Sequence, residues 1–82
     1  MEYELTNHAK KRMAERNISG KLLRDALQKP TKVLYDKSHK LLIKKLYIQK
    51  NQERLLLIAG RTMHGKLKIF TVIDTSKVKK YL

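Results

Sequence analysis

Leu55-Leu56-Leu57-Ile58-Ala59 is the one run in this 82-residue chain that is apolar at five successive positions. Side chains along a strand point alternately to opposite faces, so such a run needs cover on both sides. It sits between Arg54 and Gly60-Arg61 and is too short for a helix with a single buried stripe. The segment Arg54 to Arg61 is therefore predicted as the most buried strand of a sheet.

Three more extended segments surround it, Lys32 to Tyr35, Leu41 to Gln49 and Lys66 to Asp74. Turn-type residues separate them: Asp36-Lys37-Ser38, Asn51-Gln52 and Met63-His64-Gly65, where Gly65 can take a positive φ. Links this short imply an antiparallel meander. In the second segment Leu41 and Ile43 share a face with Lys45 and Tyr47, while Leu42, Leu46 and Ile48 share the other with Lys44. The alternation breaks near Lys44-Lys45, which predicts a bulge or a sheet edge there.

Upstream of Pro30 the period is helical. Thr6 or Asn7 caps a helix over His8 to Arg16, and Asn17 suits a left-handed stop. Ser19 caps a second helix, in which Leu22, Leu23, Ala26 and Leu27 share a face, with Ile18 and Leu23 at staple spacing and Pro30 at its end. At the other end, Ser76 caps a last turn containing Val78 and Leu82, or the tail hangs free. The predicted fold is α+β, two N-terminal helices packed on a curved antiparallel meander of about four strands, in a single domain over residues 1–82.

Charge is the strongest functional signal. Twenty Lys and Arg against seven Asp and Glu give +13 and a pI near 10.2. The acids stand singly, so no acidic segment neutralises the surface from within, and a phosphate polymer is the expected partner, RNA ahead of DNA. A lysine-rich surface kept for solubility or high temperature is the competing explanation. The chain has no cysteine, which excludes disulfides and thiol chemistry. His8, His39 and His64 lack metal-ligand spacing, so neither a metal nor a cofactor is expected. No apolar run approaches the roughly 18 residues of a membrane span. The acidic start Met-Glu-Tyr-Glu is unlike a secretory signal, and the expected location is the cytoplasm.

On a helical wheel the two arginines of the first helix, Arg12 and Arg16, lie on the side of Ala9 and Met13, while its lysines lie opposite. Arginine suits a partly desolvated place where a planar fork holds phosphate or carboxylate. The alternative is structural, with Arg12 paired to Glu15 at i+3 and Arg16 packing its stem over the sheet. His8 adds a group that exchanges protons near neutral pH, although a lone histidine more often caps or packs. Arg61 ends the most apolar strand and stands where a scaffold presents charge to a cleft. Lys44, Lys45 and Tyr47 offer cations and an aromatic ring for phosphate and a stacked base, or else simply guard a sheet edge. Lys77, Lys79 and Lys80 suit non-specific phosphate contacts or a solvated tail.

The run from Thr6 to Ser19, Thr-Asn-His-Ala-Lys-Lys-Arg-Met-Ala-Glu-Arg-Asn-Ile-Ser, resembles the opening of a prokaryotic family whose signature reads His-Ala-x-x-Arg-Met-x-x-Arg-x-Ile. That family is largely a domain of unknown function and looks related to the RelE/ParE-like and BrnT toxins. The resemblance implies the RelE/ParE-like form of the fold above and a toxin-type, metal-independent endoribonuclease of a toxin–antitoxin system, or a relative without activity. On that reading the 2′-hydroxyl attacks the adjacent phosphate of RNA, ribosome-bound mRNA included. His8 or Glu15 moves protons, and Arg12, Arg16 and Arg61 hold the phosphate. An acidic antitoxin is the implied protein partner. Two other functions compete: a non-catalytic RNA- or DNA-binding module, and an interaction domain docking an acidic protein.

Overall fold

A computed structural model describes residues 2–82. Strand β1 (Tyr3–Leu5) leads into helices α1 (Asn7–Glu15) and α2 (Gly20–Gln28). Strands β2 (Lys32–Tyr35), β3 (Lys40–Gln49), β4 (Gln52–Met63) and β5 (Lys66–Thr75) follow, and helix α3 (Val78–Tyr81) ends the chain. One sheet holds all five strands in the order β1-β5-β4-β3-β2.

This corrects the predicted architecture. The sheet is mixed and five-stranded rather than a four-stranded antiparallel meander, because β1 pairs with β5 in parallel, Tyr3 opposite Leu67 and Leu5 opposite Ile69. The helices are not N-terminal to the sheet but lie between its two edge strands, and α3 is a third helix. A three-residue strand is too short for periodicity to register, and its partner is more than 60 residues away in sequence. The α1–α2 pair carries the chain from the β1 edge to the β2 edge, with α1 against β5 and α2 against β3.

Local chemistry sets the helix ends. The Thr6 side chain accepts from the Ala9 amide and the Ser19 side chain from the Leu22 amide, each filling one of the open donors of a helix start. Asn17 takes φ 54 between the helices, as its type predicts. The ladders end in tight turns with positive φ at Lys50 and Asn51, and at His64 and Gly65. Such pairs match the twist of two-residue hairpins. The first of them sits one residue earlier than the predicted Asn51-Gln52 turn.

Two faces follow from the register. Leu41 and Ile43 of β3, Leu56 and Ile58 of β4, and Leu67, Ile69 and Val72 of β5 are buried beneath Ala9, Met13, Leu23 and Ala26 of the helices. Burying one such leucine or isoleucine contributes about 1.5–3 kcal/mol. Leu55 is fully buried too, but it stands apart from that cluster, on the second face, where α3 packs against β4. Burial at both parities makes β4 the most enclosed strand, as its apolar run predicts. Of the two expectations at Lys44-Lys45, the bulge is absent, for β3 and β4 pair without interruption from Lys40–Arg61 to Gln49–Gln52, but the sheet edge is found. At that point β3 loses β2 as its outer neighbour, since β2 pairs only as far as Lys44. The bulge lies on β5 instead, between the pairs Ala59–Thr71 and Gly60–Ile69.

Candidate nucleic-acid interface

The sheet face turned away from α1 and α2 carries the candidate site. Lys40, Arg61 and Lys68 are successive register partners on β3, β4 and β5, so their side chains leave the same face in one row. Neighbouring strands are about 5 Å apart, which places three cations within roughly 10 Å. Like charges directly opposite one another destabilise a sheet. Among the described residues, the carboxylate in register with this row is that of Glu4, at its β1 end. The Arg61 Nε is buried and has no hydrogen-bond partner among the described residues. The row therefore has the electrostatic character of a site for an external anion.

One step along the strands lies an apolar row, Leu34, Leu42 and Ala59. Phe70, the extra residue of the β5 bulge, joins it and stays 38% exposed. These residues, with Asp36 and Lys40, line an open groove of about 520 Å³. The bulge has two supports. Thr6 ties it down, its amide donating to Ile69 O and its hydroxyl to Phe70 O. Gly60 lets β5 come close, because a Cβ there would run into the Lys68 carbonyl and stand 3.2 Å from the Ile69 Cα. An extra residue re-aims the strand's side chains, which is how Phe70 comes to face the groove.

The helix-side face treats its cations differently. Lys45 stands 3.6 Å from Asp25 and donates to the Lys29 carbonyl. Arg54 holds Asp74 through a fork of bonds at 2.8–3.1 Å, and the Tyr47 hydroxyl donates to the same carboxylate. Burial pushes the Tyr47 hydroxyl up to about 12, and its bond to Asp74 acts in the same direction. Burial works to raise the Asp74 carboxyl, but the hydrogen bonds from Arg54 and Tyr47 and the charges of Arg54 and Arg16 outweigh it and hold it low. At neutral pH this is an ionised carboxylate held by neutral phenol and charged guanidinium.

The residues singled out from the sequence do not converge on one place. His8 is exposed in the first turn of α1, and Arg12 and Glu15 form an i,i+3 ion pair at 4.0 Å with both side chains about half exposed. Arg12 and Arg16 line a concavity of about 180 Å³ with Thr71, Val72 and Ile73. Arg61 is on the opposite sheet face, so α1 and Arg61 do not share a cleft. Lys44 is buried, and its ammonium donates to the Tyr81 and Leu82 carbonyls, while its register partner Lys32 reaches Leu82 as well. Lys45 and Tyr47 are engaged with Asp25 and Asp74. Lys77, Lys79 and Lys80 are exposed around α3, with the Lys80 ammonium 5.3 Å from the Tyr81 ring. Sequence reasoning missed Lys40, Lys68 and Phe70 beside Arg61, and Arg54 and Asp74 beside Tyr47. The alternation Lys66-Leu67-Lys68 signals one cationic face, but the row across three strands exists only in the register.

A family model described as a domain of unknown function, DUF4258, matches residues 5–79. No curated protein and no solved structure matches the chain.

Proposed function

The chain belongs to the DUF4258 family, and from its own surface we propose that it binds RNA through the phosphate backbone, seated on the Lys40–Arg61–Lys68 row. The observation that carries this reading is three cations in direct register with the middle guanidinium unpartnered at Nε. A charge of +13 supplies long-range attraction to any polyanion. RNA stands ahead of DNA because the cations lie on a sheet surface beside an exposed aromatic ring, a platform suited to splayed nucleotides, rather than on a helix presented to a major groove. On this reading the protein works in the cytoplasm.

Fluorescence anisotropy with a labelled RNA between roughly 50 and 200 mM salt tests it. Wild-type affinity falls steeply with salt. The triple variant Lys40→Gln, Arg61→Gln, Lys68→Gln binds more weakly, with a salt slope smaller by about two to three, close to one per phosphate contact removed. Unchanged affinity and slope in a folded triple variant would take the row out of the interface.

A second reading is favoured by the concavity that holds Arg12 and Arg16: a toxin-type, metal-independent endoribonuclease related to the RelE/ParE-like and BrnT toxins, with an acidic antitoxin as partner. The 2′-oxygen attacks phosphorus and the bond to the 5′-oxygen breaks, leaving a 2′,3′-cyclic phosphate and a 5′-hydroxyl. His8 or Glu15 takes the 2′-hydroxyl proton, a protonated side chain or water supplies one to the leaving oxygen, and Arg12 and Arg16 stabilise the phosphorane. Incubating RNA in EDTA with wild type and His8→Ala separates the readings. Cleavage slowed about a hundredfold in the variant, with RNA affinity kept, supports catalysis on α1; salt-sensitive binding with no cyclic-phosphate product leaves the binding module.

A further inference from the structure

We propose that the groove beside the cation row is a nucleobase subsite, so that the preferred ligand is an unpaired strand rather than a duplex. The proposal rests on the phosphate-backbone reading above and deepens it. Arg61 and Ala59 stand two residues apart on β4, as do Lys40 and Leu42 on β3, and two residues span about 7 Å of strand. That is the scale a ribose bridges between its phosphate and its base. A phosphate on Arg61 therefore delivers its base over Ala59 and Leu42, against the Phe70 ring.

The polarity of the groove selects this occupant. Its cationic wall is on one side only, the Lys40–Arg61–Lys68 row, and the Asp36 carboxylate that also lines the groove beside Lys40 is already held by Ser38 and the Lys40 amide. On the other side Lys32 and Lys44 are already engaged by the carbonyls at the end of α3. A nucleotide strand has the same one-sided character, phosphates along one edge and bases along the other. An acidic amphipathic protein helix carries carboxylates on both flanks of its apolar stripe and would meet free cations on only one. Phe70 adds a ring that the bulge presents at 38% exposure instead of packing it into the core. Base–aromatic stacking tolerates any base, so the subsite confers strand selectivity more than sequence selectivity. In a duplex the bases are paired and stacked, and the groove cannot take one without opening the helix.

The test measures affinity for three probes: an unstructured oligouridylate, the same backbone with abasic residues, and an RNA duplex of equal length. Wild type is expected to bind the oligouridylate roughly tenfold more tightly than either of the others, in line with one stacked base. Phe70→Ala abolishes the difference while keeping the affinity for the abasic backbone, and Phe70→Trp preserves it. Equal affinity for the base-bearing and abasic strands overturns the subsite and leaves the backbone reading standing. Failure to bind any of the three removes both. Phe70-dependent binding of a glutamate-rich amphipathic peptide, without preference for the base-bearing strand, overturns the subsite and assigns the groove to a protein.

Discussion

The two faces of the sheet handle the same excess of positive charge in opposite ways. On the helix-covered face each cation has an answer within the fold: Asp25 for Lys45, Asp74 for Arg54. On the open face Lys44 and Lys32 are met by the carbonyls at the end of α3, but Lys40, Arg61 and Lys68 stand in register with a half-exposed row of apolar side chains beside them. The carboxylates beside Lys45 and Arg54 offset the cost of covering those charges, whereas the open row keeps most of its charge at the surface and covers the Arg61 Nε without a partner. One face is thus committed to stability, and the other holds charge in a fixed pattern for something outside the chain.

The largest expected effect strikes the committed face. Leu56→Ala, at a fully buried position, should cost about 2–5 kcal/mol. Leu42→Ala on the open face should cost less than about 1.5 kcal/mol, because its side chain is only partly covered. Chemical denaturation of both variants measures the contrast, and equal losses would break it. Next in size is Asp74→Ala, which strands Arg54 and Tyr47 and should cost about 1–3 kcal/mol, read as a drop in Tm. The pH dependence sharpens the same point. Since the folded-state carboxyl of Asp74 is held low, its contribution is intact above its ordinary value of 3.8 and is lost as pH falls through that window. Tyr47 acts in the other direction. Raised to about 12, its contribution is intact below 10.0 and is lost as pH climbs from there. Spectrophotometric titration should find one tyrosine ionising later than the others, and Asp74→Asn should bring it earlier.

The smallest effect on stability, and the most telling, belongs to the cation row. Lys40→Gln, Arg61→Gln and Lys68→Gln together should shift stability by less than about 1 kcal/mol in either direction, because the like-charge contacts they remove offset the side-chain packing they alter. A loss of several kcal/mol in thermal unfolding would mean the row is structural after all.

Much of the secondary structure was legible because its causes are local. Thr6 and Ser19 cap because their hydroxyls reach amides three residues on. The run Leu55–Ala59 marks the enclosed strand because side-chain alternation is intrinsic to a strand. β1 escaped notice because Tyr-Glu-Leu is no different from many short exposed segments until β5 lies beside it. The bulge was misplaced for a related reason. The doubled lysines at 44 and 45 look like a break in pattern, yet Lys44 reaches the end of α3 and Lys45 reaches Asp25, so both polar groups are satisfied without any slip.

Among the candidate functional residues, chain proximity let the sequence associate Arg12, Glu15 and Arg16 through helical geometry. It had no means to join Lys40, Arg61 and Lys68, which stand on three different strands and meet only through the pairing of β3, β4 and β5. What the sequence by itself determined is the charge, the helix caps and the alternation of each strand, all set by neighbours within a few residues. Only the tertiary structure decided which cations find carboxylates and which are left in a row. That outcome depends on register, and register is set jointly by core packing, by the turns and by the one extra residue that Gly60 and Thr6 accommodate at Phe70.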